Sequence, residues 1–188
     1  MPVPARTPWW ESRGFALAAM LLAAVPLLIP AVPPLTDVPG HIGRYHIAAH
    51  LAGSPLLARH WQFEWGLIGN LGVDLIVEAL APLIPAPLAA KLVIVAIPPL
   101  WVWGLIRLSR ASGTGADAGR LAPGAALGFP LVYSWPFQFG FVNFMLSATL
   151  ALHALASWIA MGRAGRVRQR AALFVPVSWV LWIAHSFG

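Results

Sequence analysis

A chain of 188 residues in which 59% are hydrophobic and only 10% charged has too little polar surface to cover a soluble globule of its size. Its mean hydropathy of +0.75 places it, by composition, in a membrane. The formal net charge of +6 does not argue for nucleic acid, because the basic residues lie between apolar runs and no polar domain is left to hold a duplex or a single strand.

Without cysteine there are no disulfides, thiolate metal sites or thiol nucleophile, so any metal would need His or carboxylate ligands. The expectation is one all-α domain over residues 1–188, a polytopic transmembrane helix bundle of about five spans with a helical extracytoplasmic first loop.

In chain order, the first apolar run, residues 15–35, follows Arg6 and Arg13. As a helix it would be about 31 Å long, which exceeds a signal-peptide core and predicts an uncleaved anchor with its amino end in the cytoplasm. A large external loop, residues 36–86, comes next. In it Pro39 begins a predicted helix that runs to about Ala52 and is ended by Gly53-Ser54-Pro55.

Span two is predicted at 87–107, followed by a Gly/Ser/Ala-rich cytoplasmic loop to Arg120. Span three follows at 121–135, a tight external turn at 136–141, span four at 142–161, and span five from about 172. The last span stops at His185-Ser186-Phe187-Gly188 without a flanking charge, as expected of a fragment of a longer polytopic protein.

Charge and parity produce this map. Nine of the twelve basic residues form three clusters: Arg6 and Arg13; Arg107, Arg110 and Arg120; and Arg163, Arg166, Arg168 and Arg170. The positive-inside rule puts all three in the cytoplasm, so an even number of crossings must separate them. Two apolar stretches, 71–84 and 87–106, precede Arg107, and only one of them can cross. The first would reach only about 22 Å, and its Asp74 and Glu78 would each cost about 2.5–3.5 kcal/mol at mid-bilayer. It is therefore predicted as an extracytoplasmic or interfacial amphipathic helix with both acids on one face. Trp61, Trp65 and Trp135 would sit at the outer interface, and Trp9, Trp10 and Trp158 at the inner one.

The external loop concentrates the ionisable chemistry, with Asp37, Glu64, Asp74 and Glu78, Arg44 and Arg59, and four of the six histidines. Asp37, His41 and Arg44 cluster where the first span meets water. A plain account of Asp37 is an N-cap that accepts from the Gly40 amide, and this is compatible with a functional role because a cap fixes the direction of the carboxylate. His46 and His50, four apart on another face, are predicted as polar-face imidazoles at headgroup level rather than a metal pair.

Pro34-Leu35-Thr36-Asp37-Val38-Pro39-Gly40-His41, with Arg44 following, resembles the start of the first external loop in the GT-C superfamily of polytopic glycosyltransferases. Asn70-Leu71-Gly72-Val73-Asp74-Leu75-Ile76-Val77, Phe139-Gly140-Phe141-Val142-Asn143-Phe144 and Ala184-His185-Ser186-Phe187 are similar to further segments of bacterial proteins of that type. Many members carry a second acid beside the first, whereas Val38 follows Asp37 here and the nearest alternative is Glu64.

The resemblance implies a multi-pass protein of the bacterial inner membrane. It would transfer sugar from a polyprenyl-phosphate-linked donor to a glycan, lipid or protein acceptor outside the cytoplasm. Asp37 would act as general base on the acceptor hydroxyl or orient it, and Arg44, with Arg59 in reserve, would neutralise the leaving phosphate. His41 would donate a hydrogen bond or help to hold a divalent ion, Mg or Mn, although no metal site is read from the residues. Asn143 and His185 would contact donor or acceptor.

Gln138, Ser147 and His153 are expected to hydrogen-bond between helices, and Gly124 and Gly128 to serve packing. Two rival readings stand beside the transferase. One is a transporter or permease subunit with Asp37, Asp74 and Glu78 as gate charges or ion ligands; the other is a noncatalytic membrane assembly piece.

Overall fold

A computed structural model describes residues 8–187, and Arg6 lies outside them. Among the described residues the chain is all helical, with no strand. Eight α-helices follow one another: α1 (Arg13–Leu28), α2 (Val38–His50), α3 (Pro55–His60), α4 (Gly72–Leu80), α5 (Ala86–Ser112), α6 (Trp135–Gln138), α7 (Val142–Arg163) and α8 (Val167–Ala184). Two of them, α5 and α7, are long and apolar enough to cross a membrane. At 1.5 Å per residue they reach about 40 Å and 33 Å, against a hydrocarbon core of roughly 30 Å.

Local chemistry sets the helix ends. Ser12 starts α1 by accepting from the Phe15 amide at 3.1 Å, and Ser54 starts α3 by accepting from Leu57 at 3.3 Å, with Pro55 in the first turn. Exposed carbonyls beyond α1 are met by Lys91, whose Nζ donates to Leu28 at 3.0 Å and Pro30 at 2.7 Å. Arg163 does the same for α5, donating to Ser112 and Gly113 at 2.9 Å and 2.7 Å.

Contacts along the helices fix their directions. Phe15, Ala19 and Met20 near the start of α1 pack on Val102 and Ile106 near the end of α5, and Arg110 donates to the Glu11 carbonyl at 3.1 Å, so α1 and α5 are antiparallel. Arg107 on α5 reaches His153 and Ser157 on α7, each at 2.9 Å, while Arg163 meets the end of α5, so α5 and α7 run the same way. Helix α8 returns along α7, with Arg170 over the Trp158 ring and Ser147 donating to the Leu181 carbonyl at 2.9 Å.

Two parallel neighbours require something to carry the chain back between them. The segment that does so was expected as a third helical span over 121–135, and here the structure differs. It is a chain of 3-10 turns, Pro123–Gly128 and Pro130–Tyr133, followed by α6. Pro123, Pro130 and Pro136 deny amide donors, and Gly124 and Gly128 weaken helix propensity, so no α-helix is sustained.

A 3-10 turn rises about 2.0 Å per residue instead of 1.5 Å, which lets this short segment run the length of its neighbours. Its stations mark the path: the Ala122 amide donates to Ser109 at 3.0 Å, Trp101 Nε1 to the Gly128 carbonyl at 3.0 Å, Tyr133 to the Ala23 carbonyl at 2.6 Å, and the Thr36 amide to the Gln138 carbonyl at 3.0 Å.

The molecule thus has two chemically unlike ends. Glu11, Arg13, Arg110, Arg120, Arg163 and Arg166 gather at one, with Arg120 paired to Glu11 at 3.0 Å. Asp37, α2, α4 and the start of α7 occupy the other. The sides of α1 and α8 between them expose Leu17, Leu21, Leu22 and Val25, and Leu173, Val175 and Val180, an apolar surface that suits lipid better than water.

Candidate functional site: a carboxylate cavity at the Asp37 end

Asp37 sits at the N-cap position of α2, but its side chain makes no capping bond, contrary to the expected acceptance from Gly40. The turn is closed by backbone instead. The Val38 amide donates to the Leu35 carbonyl at 3.1 Å and the His41 amide to the Asp37 carbonyl at 3.1 Å, while the Asp37 amide is held by the Phe139 carbonyl at 3.0 Å. Gly140, at φ +92°, presses against Asp37 from below. The backbone is fixed, and among the described residues the carboxylate has no hydrogen-bond or ion-pair partner.

That carboxylate borders a cavity of about 530 Å3. His41 and Asp37 form one side, Asn70 and His185 another, and Trp135, Pro136, Phe141 and Phe144 an aromatic wall, with Asn143 at its base and Phe187 at its rim. The volume falls in the range usual for small-molecule sites, about 300–1,000 Å3.

Four segments distant in sequence, 34–41, 70–77, 139–144 and 184–187, meet here. Residues 36–37 are bonded to 138–139, and residues 69–71 to 183–186, with the Leu71 amide donating to Ile183 and the Ser186 amide to Gly69, each at 2.8 Å. Glycine makes the second junction close: a Cβ on Gly72 would stand 2.9 Å from Ala184 Cα, and one on Gly69 would stand 3.0 Å from Ser186 Cβ.

Beneath the cavity lies a buried polar knot that sequence reasoning assigned differently. Asp74, only 4% exposed, forms an ion pair with Arg44, accepts from Asn143 Nδ2 at 2.9 Å and faces the Tyr45 hydroxyl at 3.4 Å. Burial, and then the neighbouring Asp74 carboxylate, push the Tyr45 phenol well above its ordinary range, so it stays a donor. Asn143 also accepts from the Val73 amide at 2.6 Å and donates to the Asn70 carbonyl at 2.8 Å. It serves α4, which has no cap of its own, as a cap supplied from α7. Both its amide hydrogens and its carbonyl are engaged within the protein, which suits a scaffold better than a substrate contact.

The expected site residues therefore separate. Asp37, His41, Asn143 and His185 share the cavity. Arg44 lies next to His41 but does not line the cavity, and its guanidinium is taken by Asp74 while remaining 41% exposed. Arg59 and Glu64 are elsewhere on the surface, with Glu64 bonded to Gln62 at 2.6 Å. Asp74 and Glu78, expected on one face, part company, Asp74 buried and Glu78 exposed.

His41 is half-buried, and that burial, reinforced by the Arg44 charge and opposed by Asp74 and Asp37, lowers its pKa. At neutral pH it is an uncharged imidazole. His185 Nδ1 accepts from the Phe187 amide at 3.1 Å, which leaves Nε2–H as a donor.

These groups do not fit Mg or Mn, because Asp37 is the lone carboxylate of the lining and no three His, Asp or Glu side chains among the described residues stand close enough to share an ion. Missed from sequence were Asp74 as a buried anchor, Tyr45, Asn70 and the aromatic wall. The Trp135, Phe139, Phe141 and Phe144 cluster was the signal that could have found the wall.

What fold and site define, among the described residues, is an all-helical chain with two helices fit to cross a membrane and a cavity lined by Asp37 at the end opposite the Glu11–Arg120 cluster. Comparison with protein-family models, with curated proteins and with solved structures found no match.

Proposed function

We propose that the chain is a five-span inner-membrane protein of glycosyltransferase type, transferring a sugar from a polyprenyl-phosphate donor at its extracytoplasmic face. The two apolar helices and the lipid-suited flanks of α1 and α8 support the membrane, and the arginine end supports a cytoplasmic amino terminus. In this arrangement α1, α5, the 3-10 segment, α7 and α8 are the five crossings.

One observation carries the catalytic reading: a carboxylate with no partner among the described residues, its backbone held by the Phe139 carbonyl and Gly140, beside a cavity. In the reaction Asp37 takes the proton of an acceptor hydroxyl as that oxygen forms a bond to the anomeric carbon. The bond from that carbon to the phosphate oxygen breaks, and its electron pair leaves with the polyprenyl phosphate. Arg44, exposed on one side and oriented by Asp74 on the other, meets the phosphate charge.

An apolar groove along α8, lined by Leu67, Trp158, Phe174, Val175, Trp179 and Trp182, reaches Trp182, whose carbonyl lies against Gly69, the neighbour in sequence of the cavity residue Asn70, and offers a path for the isoprenoid tail. The transporter reading is less favoured, since Asp74 is committed to Arg44, Tyr45 and Asn143 and Glu78 lies on the surface.

The test is transfer of radiolabelled sugar from polyprenyl-phosphate donors in membranes containing the full chain. Asp37→Asn should lower it by about 10²-fold or more with insertion unchanged. Equal transfer by the variant would end the catalytic reading.

A further inference from the structure

We infer that the cavity beside Asp37 holds a neutral, hydroxylated pyranose ring, the acceptor, and that the donor phosphate binds outside it. This rests on the transferase reading and names the ligand class of its central cavity. The first ground is charge. Among the described residues no lysine or arginine lines the cavity, and the one charged group there is the unpartnered Asp37 carboxylate. A phosphate there would face a like charge across a few ångströms with no cation between them. Arg44, close enough to His41 for its charge to act there, does not line the cavity and is turned onto Asp74.

The second ground is the aromatic wall. Trp135 is 61% exposed yet not free to swing, because its ring lies 4.3 Å from Phe139 and 5.7 Å from Phe141. Phe144 is held edge-on by His185 at 5.4 Å. Ordered aromatic side chains lining a mostly apolar cavity suit the C–H face of a sugar ring.

Hydrogen-bonding capacity is the third. Asn143 is engaged within the protein, so recognition falls to Asp37, which only accepts, to the remaining donor of His185, and to Asn70 and His41. Hydroxyl groups, each both donor and acceptor, match that mixed set where a phosphate, accepting only, does not.

The experiment is equilibrium binding to the full chain in nanodiscs, with no donor present, by saturation-transfer NMR. The probes are methyl pyranosides of glucose, mannose, galactose and N-acetylglucosamine, inorganic pyrophosphate, and choline. At least one pyranoside should bind saturably. Its binding should weaken tenfold or more in Trp135→Ala and in Phe187→Ala, the latter at an exposed position past α8 where folding is not at stake, and should be unchanged in Arg168→Gln, an exposed position at the other end of the molecule. Competition by pyrophosphate for the same site, binding of choline in place of every pyranoside, or no pyranoside binding would each overturn the inference. Sugar transfer without pyranoside binding would remove this inference and leave the transferase, whereas pyranoside binding without transfer would do the reverse.

Discussion

Gly140 and Asp37, more than a hundred residues apart in sequence, are in backbone contact: a Cβ on Gly140 would lie 2.8 Å from the Asp37 amide nitrogen and 3.1 Å from its Cβ. Gly140 also adopts φ +92°, a region that L side chains rarely enter. Gly140→Ala must therefore either strain its own backbone or push the Asp37 turn away from the Phe139 carbonyl. The variant should lose about 1–3 kcal/mol of stability and nearly all transfer, while Gly124→Ala, with open space around it, should behave as wild type. Thermal unfolding in detergent, with the transfer assay alongside, checks both.

Asn143 ties α7 to α4 through three bonds, to the Val73 amide, the Asn70 carbonyl and Asp74. Asn143→Ala leaves all three groups short of a partner in a buried place, at about 2–4 kcal/mol. Asn143→Asp should be no better, since it restores the acceptor for Val73 but sets a second carboxylate against Asp74. In a double-mutant cycle Asn143→Ala and Asp74→Ala should couple by about 0.5–3 kcal/mol. Strict additivity in denaturation measurements would mean that the knot is not a unit.

The pH dependence follows from His41, whose pKa is lowered in the folded protein from the ordinary 6.5. The unfolded chain then binds the proton more readily than the folded one. Stability is full above about pH 6.5 and is lost as pH falls from there through the lower folded value. His41→Gln should flatten this part of the profile of unfolding midpoint against pH between 5 and 8. A wild-type midpoint that rises on acidification over that range would contradict the assignment.

Much of this end of the molecule was legible in the sequence, for reasons that also explain what was not. Asp37 stands out because it follows an apolar run directly, although an N-cap would have accounted for it equally, and the α2 start followed from Pro39. The pairing of Arg44 with Asp74 was hidden because it joins helices 30 residues apart, and helical spacing only reports neighbours on one helix. Asp74 and Glu78 share a face by spacing, yet that face is divided between the core and the surface. Arg59 and Glu64 were drawn in by composition of the loop alone, which carries no information about where α3 and the segment after it lie. The 3-10 segment was mistaken for a helix because apolarity over 121–135 signals burial or lipid, whereas the conformation was decided by three prolines.

That segment makes topology the sharpest test of the membrane proposal. The chain has no cysteine, so single reporters can be placed at will. Ala52, exposed beyond α2, follows one crossing, and Ala164, exposed beyond α7, follows four if residues 121–138 cross and three if they do not. Even and odd counts place the two positions on different sides or on the same side. With the 3-10 segment crossing, a membrane-impermeant maleimide added to spheroplasts should label Ala52→Cys at once and Ala164→Cys only after permeabilisation. The arginines that flank Ala164 agree with the cytoplasmic side by the positive-inside rule. The segment can lie within a bilayer because its polar backbone is not left to lipid: Trp101, Tyr133 and the Gln138–Thr36 contact tie it to α5, α1 and the Asp37 turn. Labelling of both cysteines from outside would mean that residues 121–138 fail to cross, and would place the arginine end and the Asp37 cavity on one side of the membrane.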